Sequence, residues 1–163
     1  MQEKLWLTTA ITTLALVVAG CGDTSGRYSS GTSPSASPAA AGEKIAVATN
    51  AKLGQILVDE SGMTVYLFVA DTGTASTCYT TCAAIWPPVL TTGAPQVGTG
   101  AQASLLGTTT RTDGKVEVTY AGHPLYYFVK DKAAGDVTGQ GINGFGALWW
   151  VLSPSGAAIQ TKP

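Results

Sequence analysis

Cys78 and Cys82 carry the most reactive side chains of this chain, four residues apart and just ahead of Trp86-Pro87-Pro88. Three chemistries suit such a pair. A disulfide fits, because Cα atoms across a helical turn or tight loop fall within the roughly 4.4–6.8 Å that a bridge spans. A redox couple fits less well, since the familiar redox spacing has two intervening residues and this one has three. Thiolates would also take a soft metal, copper(I) or zinc. The only histidine, His123, stands in a Gly-His-Pro turn, and Met63 holds the matching place earlier in the chain. Both are copper-ligand types; the plainer reading of His123 is an exposed turn residue. Asp71 and Asp131 offer hard oxygens of the kind calcium takes, or turn caps that accept backbone hydrogen bonds. Gly139-Gln140-Gly141-Ile142-Asn143-Gly144 spells the dinucleotide fingerprint. Phe-Gly-Ala-Leu-Trp-Trp follows it instead of a helix, so a loop needing unusual backbone angles explains these glycines better. No Gly-x-Ser-x-Gly accompanies His123, and nothing places two carboxylates together. The chain reads as non-enzymatic, with no cofactor required and copper as the metal that the Cys, Met and His residues together would suit.

The compartment decides between these chemistries. Lys4 is followed by an uncharged run from Leu5 to Gly20, too short and too rich in Thr and Ala to span a membrane. A charged start, an apolar middle and small residues before a cut make a secretory signal. Val18-Ala19-Gly20-Cys21 resembles the bacterial lipobox, whose cysteine is diacylated as the peptide before it is removed. That resemblance implies a signal over 1–20, lipid on Cys21, and an extracytoplasmic protein anchored to the membrane. Two acyl chains, at about 0.8 kcal/mol per buried methylene, anchor stably. The setting permits disulfides, and with Cys21 taken by lipid the remaining cysteines form an even pair. A structural disulfide is therefore the favoured reading of Cys78 and Cys82. Residues 21–43 are Ser, Gly, Ala and Pro with almost no large apolar side chain, the composition of a disordered tether.

The remaining stretch, 44–163, is one domain with room for one core. Charged residues make up 12% of the chain and the net charge is −1, so no basic stripe exists to hold nucleic acid. The domain contains a repeat. Residues 56–71, ILVDESGMTVYLFVAD, align without a gap on residues 116–131, VEVTYAGHPLYYFVKD. Val58 then meets Val118, Gly62 meets Gly122, Tyr66 meets Tyr126, Phe68 meets Phe128 and Asp71 meets Asp131. Leu53-Gly54 echoes Leu106-Gly107, and Trp86 echoes Trp149, which sets the copies at about 53–90 and 106–156. β-branched and aromatic residues dominate both, and Asp59-Glu60-Ser61-Gly62 is a turn between two such runs, so each copy begins as a hairpin. Val116, Val118 and Tyr120 alternate with Lys115, Glu117 and Thr119, the pattern of a half-buried strand. Ala147 to Leu152 predicts a further strand, and Ala157 to Thr161 a last one. The one helix candidate is Thr80 to Ile85, stopped by Pro87. The expected fold is all-β: a compact antiparallel sandwich or barrel of two pseudo-symmetric repeats.

Tyr66-x-Phe68-x-x-Asp71 and Tyr126-x-Phe128-x-x-Asp131 resemble the Tyr-x-aromatic-x-x-Asp motif of a group of predicted bacterial lipoproteins, the secreted repeat of unknown function. Cys78 with Trp86-Pro87-Pro88, Arg111-x-Asp113-Gly114, Gly135-Asp136, Gly139-Gln140-Gly141 and Trp149 agree with it. The resemblance implies tandem repeats on an envelope lipoprotein and no established activity. Where the family carries Gly between the cysteines, this chain has Tyr79-Thr80-Thr81, and a turn needing positive φ there would be strained. Tyr and Phe two apart share a face of their strand and read as the core of each hairpin, with Tyr hydroxyls bonded at its rim. The sharper alternative is an aromatic groove, with Trp86 and Trp149 as a ligand surface for a glycan or small molecule. The functional expectation is a lipid-anchored binding module for an unknown envelope protein, glycan or small ligand. A metal- or redox-linked protein using Cys78, Cys82, Met63 and His123 is the alternative.

Overall fold

The computed structural model describes residues 41–161. Cys21, the signal over 1–20 and nearly all of the 21–43 tether lie outside the described residues. Each copy opens with an antiparallel hairpin. In the first, β1 (Lys44–Asn50) pairs with β2 (Gly54–Asp59); in the second, β5 (Leu106–Thr110) pairs with β6 (Val116–Tyr120). A tight turn leads in each case to the Tyr-x-Phe segment, which is β3 (Tyr66–Phe68) in the first copy and follows β7 (His123–Pro124) in the second. Then come the cysteine or glycine loop and a Trp-bearing segment. The latter is β9 (Ala147–Val151) in the second copy, where it also pairs with β8 (Asn143–Gly144). A short helix α1 (Thr81–Ile85) begins inside the cysteine loop and carries Cys82, and β4 (Gln96–Val97) lies parallel to β1 in the connection between copies. Three small sheets result, ordered β2-β1-β4, β3-β9-β8 and β5-β6-β7. The fold is all-β and sandwich-like as expected, and among the described residues no sheet closes into a barrel.

The copies are interlocked rather than side by side. β3 of the first copy pairs with β9 of the second, Tyr66 opposite Val151 and Phe68 opposite Trp149. The mirror arrangement joins the second copy's Tyr126 to the first copy's Pro88, with Tyr127 N–H donating to Pro87 O and Val129 N–H to Ile85 O. Where the two exchanges meet, Tyr66 and Tyr126 bond each other's backbone, N–H to O at 2.8 and 3.0 Å, across a pseudo-two-fold axis. Strands so enclosed are buried on both faces. Ile56, Val58, Tyr66 and Phe68 enter one apolar cluster, while Leu57, Val65 and Leu67 enter a second.

The gapless alignment needs correcting. Leu57 N–H donates to Leu152 O and its carbonyl accepts from Val65; Val118 does the same with Val89 and Leu125. Leu57, not Val58, is therefore the counterpart of Val118, and Ile56 is the counterpart of Glu117. The turn restores the register at Gly62 and Gly122. Asp59 to Met63 encloses three residues, whereas Tyr120 and His123 flank only Ala121 and Gly122, both at positive φ as a two-residue hairpin turn requires. The same pairing makes Ile45 the counterpart of Leu106, so Leu53-Gly54 is not its echo, and β1 lies upstream of the expected start. The half-buried pattern over 115–120 is overturned as well. Glu117 and Thr119 are buried, while Val116 is exposed. Both faces of β6 are covered: Val118 and Tyr120 enter the second apolar cluster, and Glu117 on the opposite face lies against the buried Arg111. The last expected strand reduces to one bridge, Leu152 with Ala158, and bonds such as Ile159 N–H to Val151 O.

The loop between the cysteines carries the anticipated strain. Thr80 sits at φ 48°, ψ −113°, a conformation glycine adopts freely and a β-branched residue does not. Residues held in such regions cost about 1–3 kcal/mol. Thr80→Gly is expected to raise the unfolding free energy by about 1 kcal/mol after the extra chain entropy of glycine is counted. Urea denaturation of the two proteins side by side checks this; an unchanged or lower value contradicts it.

Candidate functional site

The motif residues meet at the pseudo-two-fold axis, and they meet across copies. Tyr66 of the first copy donates its hydroxyl to Asp131 Oδ2 of the second at 2.6 Å; Tyr126 of the second donates to Asp71 Oδ2 of the first at 2.5 Å. The other oxygen of each carboxylate is held locally. Asp71 Oδ1 accepts from Thr77 N–H and Oγ1 at 2.7 and 2.6 Å, and Asp131 Oδ1 accepts from Thr138 N–H and Oγ1 at 2.9 and 2.5 Å. All six motif residues, Phe68 and Phe128 included, are buried. A buried carboxylate must be hydrogen-bonded to be tolerated, and three donors on each supply that. Burial first, then Asp131 for Tyr66 and Glu117 ahead of Asp71 for Tyr126, raises both phenols well above the usual tyrosine range, so they stay protonated donors. The aspartates thus cap loops six and seven residues on, and the tyrosine hydroxyls lie in the interior, not at a rim.

Between these bonds the aromatic rings form one stack. Phe68 lies on Trp149 at 4.0 Å, Trp149 on Trp86 at 4.0 Å and 2°, and Trp86 on Phe128 at 4.2 Å. Tyr66 and Tyr126 close its sides edge-on. Trp86 and Trp149 are only 1% and 0% exposed. The alternative that they line a ligand surface is overturned: they form the centre of the core, because large rings gain most by burial against each other. Gly139 belongs to this packing. A Cβ there would lie 2.8 Å from the Trp86 ring and 2.9 Å from Tyr66, which is why the literal dinucleotide fingerprint carries glycine at this point.

Cys78 and Cys82 are bridged, with Cα atoms 5.2 Å apart, as favoured from sequence. The bridge leaves neither thiolate free for a metal. Met63 and His123 are half-buried turn residues, so His123 is less exposed than expected. Among the described residues no three His, Cys, Asp or Glu side chains gather as a metal site. The cysteine loop is fixed by a residue that sequence reasoning noticed only as part of a motif. Arg111, on the β5–β6 hairpin, donates to Cys78 O, Ser76 Oγ and Glu117 Oε2 at 2.7, 2.7 and 2.6 Å, and lies 4.4 Å over the Tyr79 ring. The single hydrogen of the Tyr126 hydroxyl goes to Asp71, so Ser76 Oγ–H donates to the Tyr126 oxygen across 2.8 Å, and Glu117, Arg111, Ser76, Tyr126 and Asp71 form one buried chain of bonds. Burial raises the Glu117 carboxyl to about 7; Arg111 pulls it back, and Asp71 and Asp113 add to the rise. The signal that could have found this pair is an Arg and a Glu six apart across a two-stranded hairpin.

The family profile described as "Secreted repeat of unknown function" matches this chain twice, over 47–90 and 107–153, more than half of its length. The chain belongs to that family. No curated protein and no solved structure matches it.

The Arg111–Glu117 pair gives a test with a defined sign. Because the folded carboxyl titrates above its ordinary value, its contribution to stability is full below about pH 4.5 and is lost as pH rises through about 7. Arg111→Met removes the charge that restrains this shift. The variant should lose about 3 kcal/mol at pH 8 and clearly less at pH 5, where Glu117 is neutral. Adding Glu117→Ile, the residue at the equivalent Ile56, should recover much of the loss at pH 8. Denaturant unfolding at the two pH values reads all three; an equal loss at both would contradict the assignment.

Proposed function

We propose that this member of the secreted-repeat family is a bacterial cell-envelope protein, held to the membrane by lipid on Cys21, whose β domain is a non-enzymatic interaction module. One observation carries the reading. The residues that define the motif, Tyr66, Asp71, Tyr126 and Asp131, bond to each other and to nearby threonines in the interior. Buried and mutually satisfied groups of this kind serve a scaffold, which leaves the domain surface as the part that meets other molecules. The disulfide fits an extracytoplasmic setting. The tether between Cys21 and the domain lets that surface stand away from the bilayer.

Two measurements test this. Cys21→Ala is expected to move the protein from the membrane fraction to the soluble extracytoplasmic fraction and to abolish labelling by a clickable fatty acid. Retention in the membrane with the label intact would overturn the anchor. For the module, photo-crosslinkable residues placed over the domain surface in living cells should yield discrete adducts from one face. Crosslinking from every face or none would overturn it.

A further inference from the structure

The two copies differ at one sheet edge. In the first copy, the outer edge of β1 is covered by the segment 96–100. Gln96 N–H donates to Glu43 O, Gly98 N–H to Ile45 O, and Val47 N–H to Thr99 O. The counterpart strand is β5. Val118 directs its N–H to Val89 and its carbonyl to Leu125, and Val116 directs its carbonyl to Thr91. Residues opposed in an antiparallel ladder share orientation, so Thr108 opposite Val118 and Thr110 opposite Val116 turn their N–H and C=O away from β6. Thr108 is thus the counterpart of Val47. Among the described residues nothing bonds these outward groups.

Nothing on β5 guards that edge. Leu-Gly-Thr-Thr-Thr contains no Lys, no Pro and no charge, the usual devices against strand addition, and it is rich in Thr, which favours β structure. Alongside it runs a groove of about 390 Å³, with Ala94, Pro95 and Val97 on one wall and Leu106 to Thr108 on the other; no charged side chain lines it. The segment that covers the equivalent edge of β1, Gln-Val-Gly-Thr-Gly, is likewise small and uncharged. The molecule therefore contains its own template for the missing strand.

We propose that the outer edge of β5 is a strand-addition site for an extended, uncharged, small-residue segment of an envelope partner protein, laid parallel to β5 as 96–100 is laid along β1. Main-chain bonds to Thr108 and Thr110 would supply affinity, and the neutral groove would select against charged chains. This rests on the interaction-module reading and names its surface and the chemistry of its partner.

The test uses full-length protein in detergent micelles and a synthetic peptide, PQVGTGAQ, copied from residues 95–102. With saturating peptide, the Thr108 and Thr110 amides should exchange with deuterium about tenfold more slowly, and the Val47 amide should be unchanged. Thr108→Pro deletes an outward N–H that β6 does not use, so it should abolish protection at Thr110 while the melting temperature stays within a few degrees. Thr108→Glu, which puts a charge on the edge, serves if the proline variant fails to fold. No slowing at millimolar peptide would overturn the proposal. So would Thr108 and Thr110 amides that are already as slow as Val47 without peptide, since the edge would then be held by the chain's own tether or a second copy. In either case crosslinks from another face would leave the module reading standing, so the two failures are distinguishable.

Discussion

A buried carboxylate needs donors, and in this domain each repeat obtains one of them from the other. Asp71 and Asp131 would be costly to bury with their local threonines alone, since one oxygen of each would be left for water that cannot reach it. The phenols of Tyr126 and Tyr66 complete them. This exchange places the two Tyr-x-Phe segments back to back. It draws each alongside the Trp segment of the opposite copy and brings Trp86 onto Trp149 at the axis. The strands involved are short, and short strands are stable only when both faces and both edges are satisfied. The interlock supplies all of these at once.

Symmetry around that axis is incomplete, and the departures are informative. The first copy closes its loop with a disulfide, and its partner's Arg111 reaches in to hold the Cys78 carbonyl. The second copy closes the same region with Gly139 against two rings. Glu117 takes the place of Ile56, so a charged pair stands on one side where the other is apolar. Such a pair is an expensive way to fill a core, and its compensation is the connection it makes between the second copy's hairpin and the first copy's cysteine loop. The uncovered edge of β5 is the third departure, and it lies at the surface.

Much of this was legible in the sequence. The repeat, the all-β class, the hairpin turns, the short helix and the cysteine pairing follow from local composition and spacing, and the strain at Thr80 from the resemblance to a family that carries Gly there. The exchange did not follow, because a Tyr that bonds the Asp of its own copy and one that bonds the Asp of the other copy have the same sequence. The alternative of a ligand surface at Trp86 and Trp149 fails for a related reason: a matched tryptophan in each copy is compatible with a surface until the axis brings the two together. Glu117 was placed on a solvent face by strict alternation, which fails for a strand whose two faces are both covered. The one-residue shift in β6 was hidden because the turn that follows is one residue shorter and restores the visible matches.

The central claim is that neither repeat is complete without the other. Its most direct measurement is fragment complementation, with the chain divided after Gly93 and the two pieces followed by thermal melting and amide exchange. Each piece alone should show no cooperative transition. An equimolar mixture should show one, with Tyr66 and Tyr126 amides protected, because each fills the other's core. A cooperative transition from either fragment alone would contradict the account, since it would mean that a single repeat satisfies its own aspartate and buries its own tryptophan.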